Sequence, residues 1–259
     1  MKKILKVLNI IAFLIMIGVN YISNTGAIAG ETMATVSAKY ENLFTPAGYA
    51  FSIWGLIYIG LLGFVAYQAR GLFSQRSKSD VTRQISWWFV VSCAANVVWI
   101  FAWLNEYLLL SVIIMILLLF SLIRIIYNTR MELDDEPLKV IAFVWWPFSF
   151  YSGWITVALI ANVAAYLTSI GWNGFGISEV TWTVIMILIA GAINMVITWT
   201  RNMREFALVG VWALVAIAVA NWNDQRAVVI ASLAVAALLF ISSGIHGYLN
   251  RATSPWKKL

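Results

Sequence analysis

Phe51, Trp54 and Tyr58 stand three and four residues apart in the stretch Phe44–Tyr58, FTPAGYAFSIWGLIY. On a continuous helix that spacing puts three rings on one face. Pro46 fixes φ and has no N–H, so a helix starts just after it and does not run through it. Two chemistries fit such a stripe. Rings at the level where a span meets water anchor it as an interfacial belt, and the same rings can wall a pocket for a flat ligand. Spacing alone leaves both open. Asn96, Asn162 and Asn194 lie within apolar runs, where an amide is costly unless it bonds to a neighbouring helix or a ligand. Interhelical bonding is the plainer reading for each.

His246 is the only histidine, in Ser242-Ser243-Gly244-Ile245-His246-Gly247. Haem ligation is the sharp reading. A packed imidazole beside small residues is the plainer one, because no second ligand accompanies it. The one cysteine, Cys93, lies in an apolar run, so it forms no intrachain disulfide and reads as a small packing group. Glu132, Asp134, Asp135 and Glu136 fall within five residues but lack the spaced ligands and turn glycine of a calcium loop, and so read as a solvated loop. No Ser–His–acid set, Cys–His pair or phosphate loop is present. No Asp or Glu falls near the middle of an apolar run, which argues against ion-coupled transport. These absences leave amide, hydroxyl and indole chemistry. The expectation is no catalytic residue, no metal ligand and no enzyme.

Hydrophobic residues make up 62% of the chain and charged ones 11%, at a mean hydropathy of +0.86. A soluble domain carries about a quarter charged residues. The class is an all-α integral membrane protein. Apolar runs end near Ile22 and cover 47–69, 85–104, 108–127, 138–167, 180–200, 206–219 and 227–249, giving about eight spans. The first, after Lys2, Lys3 and Lys6, is long for a signal peptide despite Ala27-Ile28-Ala29, and is expected to stay as a span. The fifth contains Pro147 and is expected to tilt or kink there. The run 206–219 is short, yet orientation requires it. With both ends inside, the inner segments hold Lys2, Lys3, Lys6, Arg70, Arg76, Lys78, Arg83, Arg124, Arg130, Lys139, Arg201, Arg204, Arg251, Lys257 and Lys258, against Lys39 and Arg226 outside. That bias is the positive-inside pattern. The net charge of +6 is therefore an orientation signal, and no nucleic-acid partner is expected.

Thr45-Pro46 ahead of Phe51, with Trp54-Gly-Leu-Ile-Tyr58, resembles the start of the second helix in the translocator protein family (TspO, formerly the peripheral benzodiazepine receptor). Asn96-Val-Val-Trp99, followed by Phe101 and Trp103, resembles the family's Asn-x-x-Trp on its third helix. Trp154 with Ala158 and Asn162 resembles its fifth. Ala47 stands where the family's turn has a second proline. The family has five helices, and three more follow here, so the chain resembles the longer, divergent branch known as tryptophan-rich sensory protein.

The resemblance implies a TspO-like five-helix bundle with a ligand pocket over residues 1–167 and additional C-terminal helices with a short tail over 168–259. It implies a bacterial cytoplasmic membrane. Family members bind porphyrins, and some bind sterols or benzodiazepine-like compounds. Carried over, Trp54 and Trp154 would flank the ligand, Asn96 would offer an amide, Ala158 would leave room, and Phe51, Tyr58, Trp99 and Asn162 would complete the wall. The function so implied is a sensor or regulator that needs no cofactor and binds a porphyrin- or haem-type ligand. A transporter of such compounds is the alternative, and light-dependent porphyrin degradation through the indoles is another. Membrane lipid and a hydrophobic small molecule are the expected partners. Small residues around Gly191, Ala192 and Gly244–Gly247 suit helix contacts or a homodimer.

Overall fold

In hydrocarbon every backbone N–H and C=O must be paired within its own segment, and the apolar runs meet that requirement as helices. The computed structural model describes residues 2–73 and 81–251. Arg76, Lys78, Lys257 and Lys258 of the inner basic set lie outside them. The helices are α1 (Lys2–Ser23), α2 (Met33–Lys39), α3 (Ile53–Phe73), α4 (Val81–Ile85), α5 (Trp88–Leu104), α6 (Leu108–Asn128), α7 (Leu138–Val140), α8 (Trp146–Ser169), α9 (Glu179–Arg201), α10 (Arg204–Ala220) and α11 (Arg226–Leu249). Among the described residues there is no strand, only an isolated bridge between Ile28 and Glu31. The chain is an all-α, multi-pass membrane protein.

Eight helices match the eight expected spans in order. Six are long and apolar enough to cross a membrane. The other two, α5 and α10, have 17 residues each, about 25 Å at the α-helical rise.

The contacts divide the chain into two units, Met1–Val36 with Trp54–Ser152, and Ser37–Ile53 with Gly153–Leu259. The sequence boundary at 167/168 does not coincide with this division. The loop ahead of α3 groups with the C-terminal helices, and α8 contributes residues to both units.

In the first unit α5 packs against α1 and α6. Phe64, Phe89 and Phe148, from α3, α5 and α8, meet edge to face with centroids 5.0, 5.1 and 5.8 Å apart. That is the preferred geometry of aromatic pairs. The tilt or kink expected at Pro147 is matched by a local irregularity of a different kind. A π-helical turn, Ile141–Trp145, precedes it in a helical run of 32 residues from Leu138 to Ser169. Proline removes one backbone donor and its ring presses on the carbonyl four residues earlier, and a widened turn accommodates both. Gly60 permits this approach, since a Cβ there would sit 3.2 Å from Pro147 Cβ.

In the second unit α10 packs against α9 and α11. Its Ala- and Val-rich composition follows from that enclosure. Small residues let backbones approach where no hydrophobic drive from water exists. Gly210 faces the Asn194 amide of α9, Gly153 faces Phe206 and Val209, and Gly191 faces Val235.

Candidate functional site

Trp54 and Tyr58 lie one turn apart on α3 and stack, with centroids 5.4 Å apart and planes at 23°. Trp54 also meets Tyr151 of α8 edge-on at 5.9 Å. The two phenols are linked behind it by amides. Tyr58 donates its hydroxyl proton to Asn20 Oδ1. Asn20 Nδ2 donates to Asn96 Oδ1 at 2.8 Å and to Met16 O at 2.8 Å, and Asn96 Nδ2 donates to the Tyr151 hydroxyl at 3.2 Å. The result is a closed circuit, Trp54–Tyr58–Asn20–Asn96–Tyr151–Trp54, drawn from α1, α3, α5 and α8. Asn96 and Tyr151 are fully buried, while Trp54 and Tyr58 are half-buried and present ring surface. Trp99 is buried on the same helix as Asn96 and stacks on Trp103 at 6.0 Å.

Of the eight residues singled out in the sequence, Trp54, Tyr58, Asn96 and Trp99 fall in this unit. Phe51, Trp154, Ala158 and Asn162 fall in the other. The single-face expectation for Phe51, Trp54 and Tyr58 assumed one continuous α-helix. Gly48–Ser52 is instead a 3₁₀ turn that leads into α3. Phe51 meets Trp154 edge-on at 6.0 Å within its own unit. Trp154, Ala158 and Asn162 are spaced i, i+4, i+8 along α8 and share a face. Trp154 and Asn162 are buried there.

Asn20 and Tyr151 were missed from sequence, although each closes the circuit. The signal for Asn20 was the one that picked out Asn96, an amide inside an apolar run. Asn9 and Gln68 carried it too. They are buried and bonded to each other at 2.9 Å. Asn194 bonds back to Ala190 O within α9 and lies against Gly210. His246 is buried, with Trp199 edge-on to its ring at 5.1 Å.

An open cleft of about 650 Å³ lies within the second unit, between the Glu41–Asn42 segment and the α8–α9 connection. None of the eight residues lines it.

A family model described as TSPO-like protein matches residues 6–245. The match runs through both units and past the first five long helices, into α11. Comparison with curated proteins and with solved structures gave no match.

Proposed function

The chain belongs to the TSPO-like protein family, and on that footing we propose that it is a membrane sensor or regulator binding a flat hydrophobic small molecule of tetrapyrrole type. The observation that carries the reading is the Trp54–Tyr58–Tyr151 cluster held by the Asn20–Asn96 amide pair. A planar macrocycle gains from dispersion and quadrupole contacts with rigid rings. Rings fixed before binding lose little entropy when the ligand arrives. The residues therefore fit such a ligand by chemistry: indole and phenol faces supply the apolar wall, and buried amides and hydroxyls set their orientation. No turnover is part of the proposal, which is a binding function.

The test is a titration of protoporphyrin into the protein in lipid nanodiscs, following tryptophan quenching and the porphyrin absorption band. Wild type, Trp54→Ala and Trp222→Ala are compared, Trp222 being 62% exposed. Loss of the Trp54 ring should weaken binding by about two- to tenfold, from an aromatic contact of ~0.5–1.5 kcal/mol. Trp222→Ala should bind as wild type. Equal affinities for wild type and Trp54→Ala, or no saturation above empty nanodiscs, would remove the proposal.

A further inference from the structure

The α8–α9 connection builds an aromatic wall tied by hydrogen bonds and ring contacts. Asn173 Oδ1 accepts from Phe175 N–H at 3.1 Å, and Gly174 and Phe175 both take positive φ, 66° and 54°. This turn aims the Gly174 carbonyl at Trp182, whose Nε1–H donates to it at 2.8 Å. A Cβ on Gly174 would lie 3.1 Å from the Trp182 ring, so the indole rests directly against the turn. Trp172 packs on Trp182 with centroids 5.2 Å apart.

The facing segment is pinned as firmly. Leu43 N–H donates to Glu179 Oε1 at 3.2 Å, Asn221 Nδ2 donates to Leu43 O at 3.0 Å, and Ala47 N–H donates to Ala216 O at 3.0 Å. Between these walls lies the cleft of about 650 Å³, whose lining residues include Trp172, Trp182, Leu167, Met186, Glu41 and Glu179. That volume lies within the range of small-molecule sites, ~300–1,000 Å³. No lysine or arginine lines it.

A lining that includes two glutamates, two tryptophans, Leu167 and Met186 suits a cation with a hydrophobic body. Anions are repelled, and a neutral apolar molecule gains nothing from the acids. The positive N-terminal end of α9 offsets part of the Glu179 charge, which leaves Glu41 as the carboxylate that governs charge selection. We propose that this cleft is a second binding site, for an amphiphilic organic cation whose charge lies by Glu41 and the indole faces and whose apolar part lies against Leu167 and Met186. The site shares no residue with the Trp54 cluster and does not depend on it.

The probe is tetraphenylphosphonium, titrated into the protein in zwitterionic nanodiscs with empty discs subtracted. Saturable binding to wild type is expected. Glu41→Gln should weaken it about sixfold, the effect of one unit charge at ~4 Å in a water-like dielectric, and Glu41→Lys should weaken it further. Trp172→Leu should cost about two- to fivefold, as for an exposed cation–ring contact. Trp54→Ala should leave the affinity unchanged, and Glu41→Gln should leave protoporphyrin binding unchanged, so the two sites fail or succeed separately. The proposal is overturned by no saturation above empty discs, by equal affinity in wild type and in the Glu41 and Trp172 variants, or by equally tight binding of neutral triphenylphosphine oxide. Loss of affinity in Trp54→Ala equal to that in Trp172→Leu would also overturn it. Thermal melting of each variant checks that the fold is retained.

Discussion

The Asn20–Asn96 bond predicts a measurable coupling. Asn96 is fully buried, its Oδ1 accepts from Asn20 at 2.8 Å, and its Nδ2 donates to Tyr151 at 3.2 Å. Asn96→Ala removes both bonds and leaves an Asn20 N–H proton facing the gap. Interhelical side-chain bonds in membranes average ~0.6 kcal/mol and reach ~1.7. An orphaned donor costs ~1–3 kcal/mol in aqueous proteins when fully buried, and the half-buried Asn20 lies at the low end of that range. The single variant should therefore lose about 2 kcal/mol. Asn20→Ala should lose a similar amount, because it breaks the bonds to Asn96 and to Tyr58. The informative quantity is the coupling in a double-mutant cycle, read by reversible unfolding in mixed micelles. It should be about 0.6–1.7 kcal/mol, the shorter bond placing it above the membrane average. A coupling within ~0.3 kcal/mol of zero, the scatter of independent sites, would refute the reasoning, since the bond would then carry no net stability.

Glycine contacts give a paired test. A Cβ on Gly210 would lie 2.6 Å from Asn194 Oδ1, whereas one on Gly244 would meet nothing within 4 Å. Gly210→Ala should destabilise by about 1–3 kcal/mol through overpacking, and Gly244→Ala should be neutral or stabilising by up to ~1 kcal/mol through helix propensity, both by thermal melting. Asn9 and Gln68 form a buried amide pair at 2.9 Å. Gln68→Leu alone strands the Asn9 amide and should cost about 1–3 kcal/mol, while Asn9→Leu with Gln68→Leu together should recover most of that loss. In the loop before α7, burial pushes the Glu136 carboxyl above its usual range, with the charges of Asp134 and Asp135 adding to the effect. The folded state then holds the Glu136 proton more tightly than the unfolded chain. This contribution is present below the unfolded value and is lost as pH rises through the folded one. Glu136→Gln should flatten that part of a melting-temperature profile. An unchanged profile would show that the shift is absent.

The helices were legible because hydrocarbon permits little else. Apolar length located seven of them, and charge alternation demanded the short 206–219 run that α10 occupies. The division of contacts was not legible. The segment 37–53 carries few charges and no strong periodicity, and its place beside α10 depends on backbone bonds such as Ala47 to Ala216 and on the Trp212 Nε1–H donated to Ala50 O at 3.1 Å. Neither has a sequence signature. The same limit applied at the candidate site. Trp54, Tyr58 and Asn96 were visible as rings and an amide out of place in apolar runs. Their partners were not, because pairing is decided by which helices become neighbours. Nothing in Gly48–Ser52 announces the 3₁₀ turn that carries Phe51.

This pairing gives Asn96 a second candidate role. The resemblance implies an amide offered to a ligand, but the structure engages that amide with Asn20 on one side and Tyr151 on the other. It bonds Tyr151 directly and reaches Tyr58 through Asn20, and both phenols contact Trp54. The two roles separate by comparing Asn20→Ala with Asn96→Ala in the protoporphyrin titration. If the amides position the rings, both variants release Tyr58 or Tyr151 and weaken binding by similar factors. If Asn96 bonds the ligand itself, Asn96→Ala weakens binding well beyond Asn20→Ala, by about tenfold for a lost bond of ~1.4 kcal/mol. Tyr151→Phe sharpens the comparison, since it keeps the ring against Trp54 and frees one Asn96 N–H. Unchanged or tighter binding in Tyr151→Phe would assign Asn96 to the ligand. Weaker binding there, matched by Asn20→Ala, would assign it to the wall.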